Sequence, residues 1–307
     1  MKLQVIGDPV LHSKSPVIHG AMLAALGLED IPYTARVVRR GELPDYLAWA
    51  KENGITGFNA TMPHKEDLVP LMDELDSAAR SVGSVNTVCL REGKLSGHST
   101  DGPGFLAALE HELRVSPNRR TVTLLGAGGA ARAVACALAQ AGAARVHVCN
   151  RTWERAAALC ALDPSGCLIP AGFDTETLSR LAAHSDLLVN CTNLGMEGCP
   201  AQFEDFSFLD ALPQTAAVYD LIYHPGSTEL LRQARRRGLA AANGLSMLVW
   251  QGVLALEFFL ERPLDREKMA RAAAEALSVQ PRQRSENPSA EPKESRFGSK
   301  GKYFKNF

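Results

Sequence analysis

Three features of this 307-residue chain predict an α/β protein of two domains, the second built on a doubly wound parallel sheet. Apolar stretches of strand length alternate with helical patterns nearly throughout. A glycine-rich turn, Gly126–Gly129, stands between an apolar run, Val122–Leu125, and a helical run, Ala130–Gln140, that Gly142 ends. A further strand pattern follows at Arg145–Cys149, so this stretch reads as a βαβ unit. Right-handed crossovers assemble such units into a parallel sheet that binds ligands at the carboxyl ends of its strands.

The first domain reads as residues 1–103. Strand patterns lie at Leu3–Gly7, Tyr33–Val38 and Gly57–Thr61, and helical ones at Pro16–Leu26, Glu42–Asn53, His64–Met72 and Asp76–Val82. A hairpin follows, Val85–Leu90 with Leu95–Ser99, turning at Glu92-Gly93-Lys94. Gly102–Leu113 leads into the second domain, 104–243, which has six strand patterns: Val122–Leu125, Val146–Cys149, Cys167–Ile169, Leu187–Cys191, Ala217–Leu221 and Ala240–Ala242. The apolar stretch Met247–Leu260 carries Gln251 and Glu257 and falls short of the ~20 apolar residues a membrane span needs. It reads as a buried helix returning the chain to the first domain, which 244–278 complete. Residues 279–307 read as a disordered basic tail, with seven Lys or Arg against three acidic residues.

Composition narrows the function. With 46% hydrophobic residues the chain can bury two cores, and a net charge of −1 argues against nucleic acid or a membrane surface as the main partner. The start of the chain lacks the apolar segment and cleavage site of a signal peptide, so a cytoplasmic protein is expected. Seven cysteines without a C-x-x-C pair suggest reduced thiols, and the eight histidines form neither H-x-H nor H-E-x-x-H, so no metal is expected.

Gly126, Gly128 and Ala131 fit the G-x-G-x-x-A form of the dinucleotide fingerprint, in which glycines turn the chain and admit a pyrophosphate to the helix N-terminus. At the end of the next strand an NAD site usually carries an acidic residue for the ribose 2′-hydroxyl. Asn150, Arg151 and Thr152 stand there instead, with Arg155 one turn on. Such a cationic, donor-rich pocket suits a 2′-phosphate, so the expected cofactor is NADP, in a Rossmann-type domain.

Four polar segments of the first domain meet strand or helix ends. Ser13 and Ser15, just before a helix at Pro16, suit a carboxylate, or cap the helix. Asn59 and Thr61 point the same way at a strand end, and Lys65 enters the next helix. Gly83–Thr87 holds Asn86, and Gly97–Gly102 holds Asp101. Lys65 and Asp101 are the pair suited to proton handling. Gln251, inside an apolar helix, needs a polar partner, and a cleft between the domains is the expected site.

In this order, HSKSP (12–16), NATMPHK (59–65), SVNT (84–87), STDG (99–102), GAGGAAR (126–132), NRT (150–152), NLGM (193–196), DLIYHPGST (220–228) and MLVWQG (247–252) resemble the shikimate dehydrogenase family over about residues 3–275. The resemblance implies NADP-dependent interconversion of 3-dehydroshikimate and shikimate in aromatic amino acid biosynthesis. A quinate/shikimate dehydrogenase of broader range and a catalytically silent NADP-sensing relative are the alternatives, and monomer and homodimer both fit. By the resemblance Ser13 and Ser15 meet the substrate carboxylate, and Asn59, Thr61, Asn86, Tyr223 and Gln251 meet or place the ring hydroxyls. Lys65 and Asp101 are its catalytic pair, either of which can be the formal acid. Gly126, Ala127, Gly128, Gly129 and Ala130 take the pyrophosphate side and Asn150, Arg151, Thr152 and Arg155 the 2′-phosphate. Asn193, Gly195, Met196, Leu221 and Gly244 take the rest of the cofactor. Two departures stand out: Ser99 replaces the usual asparagine two before Asp101, and Ser84 replaces a common alanine. His12, His64 and His98 flank the motifs in a rim or structural role.

Overall fold

Two six-stranded sheets organise the computed structural model, which describes residues 1–279. The first contains β1 (Leu3–Gly7), β2 (Tyr33–Val37), β3 (Gly57–Ala60), β4 (Glu74–Leu75), β5 (Thr87–Arg91) and β6 (Lys94–His98) in the order β2-β1-β3-β5-β6-β4. β1 runs parallel to β2 and β3, whereas β3, β5 and β6 pair antiparallel. Helices α1 (Ser15–Ala25), α2 (Leu43–Glu52) and α3 (Ser77–Val82) belong to this domain. The hairpin turn is one residue tighter than its sequence suggests. Strand pairing reaches Arg91 and Lys94, and Glu92 and Gly93 both take positive φ, at 49° and 81°, as a two-residue primed turn demands.

α4 (Asp101–Leu113) leads to the second sheet: β7 (Thr121–Leu125), β8 (Arg145–Cys149), β9 (Leu168–Ala171), β10 (Leu187–Asn190), β11 (Ala217–Asp220) and β12 (Ala240–Asn243). All pairs are parallel in the order β12-β11-β10-β7-β8-β9, so the winding reverses between β7 and β10. A crevice at that reversal is where such sheets bind ligands. Val122, Leu124, Val146, Val148, Leu187, Leu188 and Val189 are fully buried, as a sheet covered on both faces requires. Helices α5 (Gly129–Gln140), α6 (Trp153–Cys160), α7 (Thr175–Ala182) and α8 (Glu229–Arg236) provide the cover, and α9 (Leu245–Leu260) and α10 (Arg266–Val279) follow. Among the described residues no helix is long and apolar enough to cross a membrane.

The helix expected over His64–Met72 does not form. One turn is followed by a 3-10 segment, Val69–Leu71. Two local facts explain it: Pro70 has no N–H to give, and the Lys65 carbonyl, which would accept from Val69, accepts instead from the Val85 N–H at 2.8 Å. Strand β4, two residues long, is too short for any periodicity to reveal. Val279 ends α10, and the rest of the expected tail, 280–307, lies outside the described residues.

α4 joins the halves. A Cβ on Gly102 would stand 2.8 Å from the Ala133 carbonyl oxygen of α5, and one on Gly104 would stand 2.7 Å from the Gln251 backbone nitrogen of α9. Backbone thus meets backbone on both sides of this helix. One apolar cluster runs from Leu3 and Val5 in β1 through Phe105 and Leu109 of α4 and Val253 and Leu256 of α9 to Val122 and Leu124 in β7. Gly104→Ala should therefore cost about 1–3 kcal/mol through overpacking, a fall of several degrees in the unfolding midpoint. Urea and thermal unfolding measure it; an unchanged midpoint would mean that α4 and α9 can part without loss.

Candidate active site

Lys65 and Asp101 meet across the first domain: Lys65 Nζ donates to Asp101 Oδ2 at 2.6 Å. The side chains are 29% and 14% exposed, so the pair reaches solvent. Asn86, only 2% exposed, sets the pair's position. Its Nδ2 donates to Asp101 Oδ1 at 2.8 Å and Thr100 Oγ1 at 3.0 Å, and its Oδ1 accepts from the Thr100 backbone N–H at 2.8 Å. Asp101 opens α4, so the clamp fixes the helix start and the carboxylate together. Ser99 is buried beside it, but the loop is held by Asn86 and Thr100 rather than by position 99. Gln251 finds the partners its burial requires: Nε2 donates to the Leu248 carbonyl at 2.8 Å and Oε1 lies 3.4 Å from Asn86 Nδ2.

Ser13 and Ser15 pair with each other at 3.1 Å, and Ser15 N–H donates to Ser13 Oγ at 3.2 Å. The residue before α1 is Lys14, without a side-chain cap bond, and Ser13 Oγ takes the N–H of the first helical residue instead. Asn59 is bonded at both of its polar atoms. Its Oδ1 accepts from the Tyr33 hydroxyl at 2.6 Å, and its Nδ2 donates to the Asn86 carbonyl at 3.2 Å and Thr87 Oγ1 at 2.9 Å. Thr61 follows β3 and turns its methyl group against Gly7, where no Cβ would fit.

Tyr33 was missed by sequence reasoning. Its hydroxyl donates to Asn59, and burial pushes its phenol well above the ordinary range. Its ring stacks on His19 with centroids 4.2 Å apart and planes 5° from parallel. His19 lies one helical turn after Ser15, the spacing that places two residues on one face, and that spacing was the available signal. Burial lowers its pKa to about 3, and among the described residues neither ring nitrogen has a hydrogen-bond partner. The flanking histidines stay outside the pair: His64 Nε2 meets the Val38 carbonyl at 2.7 Å, His98 stacks on Phe258 and pairs with Asp76, and His12 is exposed.

On the second domain, Gly126 has a φ of 105° and its N–H donates to the Cys149 carbonyl at 2.8 Å. Gly128 and Gly129 face open space where a Cβ would meet nothing within 4 Å. With Ala127, Arg132, Arg155 and Glu66 they line a cavity of about 460 Å³. Ala130 is exposed on the first turn of α5. Asn150 donates to the Thr152 carbonyl at 2.8 Å, while Arg151 and Arg155 are exposed without a side-chain partner among the described residues. An open glycine cradle beside uncommitted guanidinium groups fits a phosphorylated dinucleotide. Asn193, Gly195 and Met196 form the loop after β10, with Gly195 at a φ of 92°. The Leu221 carbonyl rests on Gly244, where a Cβ would come within 1.9 Å of the oxygen. Tyr223, just beyond, is exposed at its edge, and burial of the remainder raises its phenol.

Family profiles match in three pieces: a shikimate dehydrogenase substrate binding domain over residues 5–88, shikimate / quinate 5-dehydrogenase over 108–194, and a shikimate 5′-dehydrogenase C-terminal domain over 244–274. A shikimate dehydrogenase (NADP(+)) of Methylobacterium radiotolerans is 44% identical over 264 residues, covering 84% of this chain and 91% of the relative. The chain belongs to the shikimate dehydrogenase family. Among solved structures of similar shape is the Thermus thermophilus shikimate 5-dehydrogenase in complex with NADP(H) and shikimate, at TM-score 0.77 and 37% identity over 90% of this chain and 99% of that one. A quinate dehydrogenase from Corynebacterium glutamicum in complex with NAD reaches TM-score 0.79 at 30% identity, over 90% of this chain and 99% of that one. The family thus spans both ring acids and both nicotinamide cofactors, and the residues at this chain's own site must decide between them.

His19 makes stability at acid pH a readout of the site's buried face. Its folded pKa, about 3, lies below the unfolded value near 6.5. Its contribution is therefore complete above pH 6.5 and is lost as pH falls toward 3, by about 1.4 kcal/mol per pH unit. Between pH 6 and 4, the unfolding free energy of His19→Phe should fall less steeply than that of the parent protein. Parallel slopes would show that the imidazole escapes its burial.

Proposed function

We propose that this chain is an NADP-dependent shikimate dehydrogenase, reversibly reducing 3-dehydroshikimate to shikimate. The observation that carries the reading is the Lys65–Asp101 pair, clamped by Asn86, with its neighbour Glu66 lining the same cavity as Gly128, Gly129, Arg132 and Arg155. NADPH, when bound, supplies the hydride for the ring carbonyl.

The protein's own residues do the rest. The Lys65 ammonium stabilises the alkoxide that develops at the carbonyl oxygen and stands within reach to pass it a proton. Asp101 holds Nζ in place and accepts from the hydroxyl so formed. Ser13 and Ser15, joined and lying at the start of α1, receive the substrate carboxylate. Thr61, Asn86, Gln251 and Tyr223 place the ring hydroxyls. Asn59 spends both amide hydrogens on the Asn86 carbonyl and Thr87 Oγ1, so it orients those residues, and its Oδ1 keeps one acceptor site for a ring hydroxyl. Gly126, Ala127, Gly128, Gly129 and Ala130 admit the pyrophosphate, and Asn150, Arg151, Thr152 and Arg155 hold the 2′-phosphate. Asn193, Gly195, Met196, Leu221 and Gly244 line the nicotinamide side. Every residue named lies on one chain, so the reading suits a monomer or a homodimer, working in the cytoplasm.

Turnover of shikimate and quinate with NADP and NAD, compared pairwise as kcat/KM, tests the assignment: shikimate with NADP should lead, and a lead for quinate or NAD would overturn it. Lys65→Ala should lower kcat by roughly 10² to 10⁴ while NADP affinity stays near that of the parent. Asp101→Asn should also slow turnover, with little further loss in the double variant because the pair acts as a unit. A Lys65→Ala enzyme that keeps most of its kcat would reduce the lysine to a binding charge. Arg151→Ala should weaken NADP by ~1.5–3 kcal/mol and leave NAD almost untouched. Equal losses for both cofactors would remove Arg151 from the 2′-phosphate.

A further inference from the structure

Arg132 sits in the first turn of α5, its backbone N–H bonded to the Gly128 carbonyl at 2.9 Å, yet its guanidinium leaves its own domain. Nη1 lies 3.5 Å from Glu66 Oε1 of the first domain. Nη2 packs on Gly83, where a Cβ would stand 3.0 Å away. Nε is buried without a partner, and among the described residues the side chain makes no hydrogen bond at all. Arg132 and Glu66 both line the cavity in front of Gly128 and Gly129. A guanidinium offers five N–H donors in a fork matched to a phosphate. Here it faces only a carboxylate at long range.

We propose that Arg132 is a ligand for a phosphate of the cofactor, and that Glu66 occupies that position as a competing anion. The inference rests on the NADP reading above and adds a residue to it. Cofactor binding would exchange the carboxylate for a phosphate on one guanidinium, breaking a contact made by the residue next to Lys65. Because Glu66 is 63% exposed, water and salt weaken its hold, so the competition is modest. By linkage, whatever favours the Glu66–Arg132 contact weakens the cofactor by the same factor.

The test measures NADP and NAD dissociation constants by titration calorimetry on the full chain without substrate, with the unfolding midpoint of each variant as a control. Glu66→Gln should bind NADP about two- to fivefold more tightly, the strength of an exposed ion pair. Arg132→Met should bind it about ten- to a hundredfold more weakly, as loss of charge-assisted bonds implies. In the Arg132→Met background, Glu66→Gln should then change nothing. Weakening of NADP and NAD alike assigns the pyrophosphate, and weakening of NADP alone the 2′-phosphate; either supports the proposal. Should Arg132→Met fold poorly, Glu66→Gln still decides, because damage does not tighten binding. An Arg132→Met protein within about twofold of the parent at an unchanged midpoint, or a Glu66→Gln protein that binds no more tightly, overturns it. A parent protein that binds neither cofactor would overturn the NADP reading as well.

Discussion

A single buried amide holds the first-domain site together. Asn86 receives the Thr100 backbone N–H, gives its own hydrogens to Thr100 and Asp101, approaches Gln251, and through its backbone carbonyl holds Asn59. Thr100, Asp101 and Gln251 are referred to its side chain, and Asn59 to its backbone. Inside a protein such bonds strengthen one another, and an unmet partner there costs more than in water. An aliphatic residue of similar size would strand the Thr100 N–H and leave the Asp101 carboxylate with Lys65 alone.

What Asn86 fixes, α4 transmits. Asp101 is its first residue, and Gly102 and Gly104 let the helix press on α5 and α9 at the same time. The carboxylate therefore has a defined position relative to the glycine loop, which opens α5, and to Gln251, which lies on α9. The shared apolar cluster makes the arrangement resist deformation, because close-packed side chains have few alternative fits. In this design small residues act at a distance: neither glycine needs to touch a ligand for its size to matter.

Much of this was legible in the sequence, where local chemistry and fold agree. Every strand of the two sheets except β4, the hairpin, the βαβ unit at Gly126 and the polar segments around Ser13, Asn59, Asn86 and Asp101 announce themselves by period and by turn residues. Apart from β4, which is too short to show a period, the failures share a cause. Lys65 was expected in a helix, but a bond between Lys65 and Val85, made possible only when two distant segments meet, takes the carbonyl that the helix needs. Tyr33 sits in an ordinary strand pattern, and only the folded chain places its hydroxyl on Asn59. Arg132 belongs to a fingerprint whose glycines explain the motif without it, and its reach to Glu66 crosses the cleft. Tertiary contacts override local preference where the site is built, which is where function departs from regular structure.

The placement of charge follows the same logic. The chain is nearly neutral overall, yet the catalytic pair and the glycine cavity hold cations with few partners: Lys65 is held by one carboxylate, Arg132 by a distant one, and Arg155 by none among the described residues. Neutrality elsewhere means that this local excess is not diluted into a general attraction for polyanions. The acidic partners differ in kind as well. Asp101 is mostly buried and short of alternatives, so it orients Lys65 firmly; Glu66 is largely in water and can yield its arginine to a stronger acceptor. Two adjacent residues, 65 and 66, thus face two ion pairs of opposite durability, one suited to fixed geometry and the other to exchange.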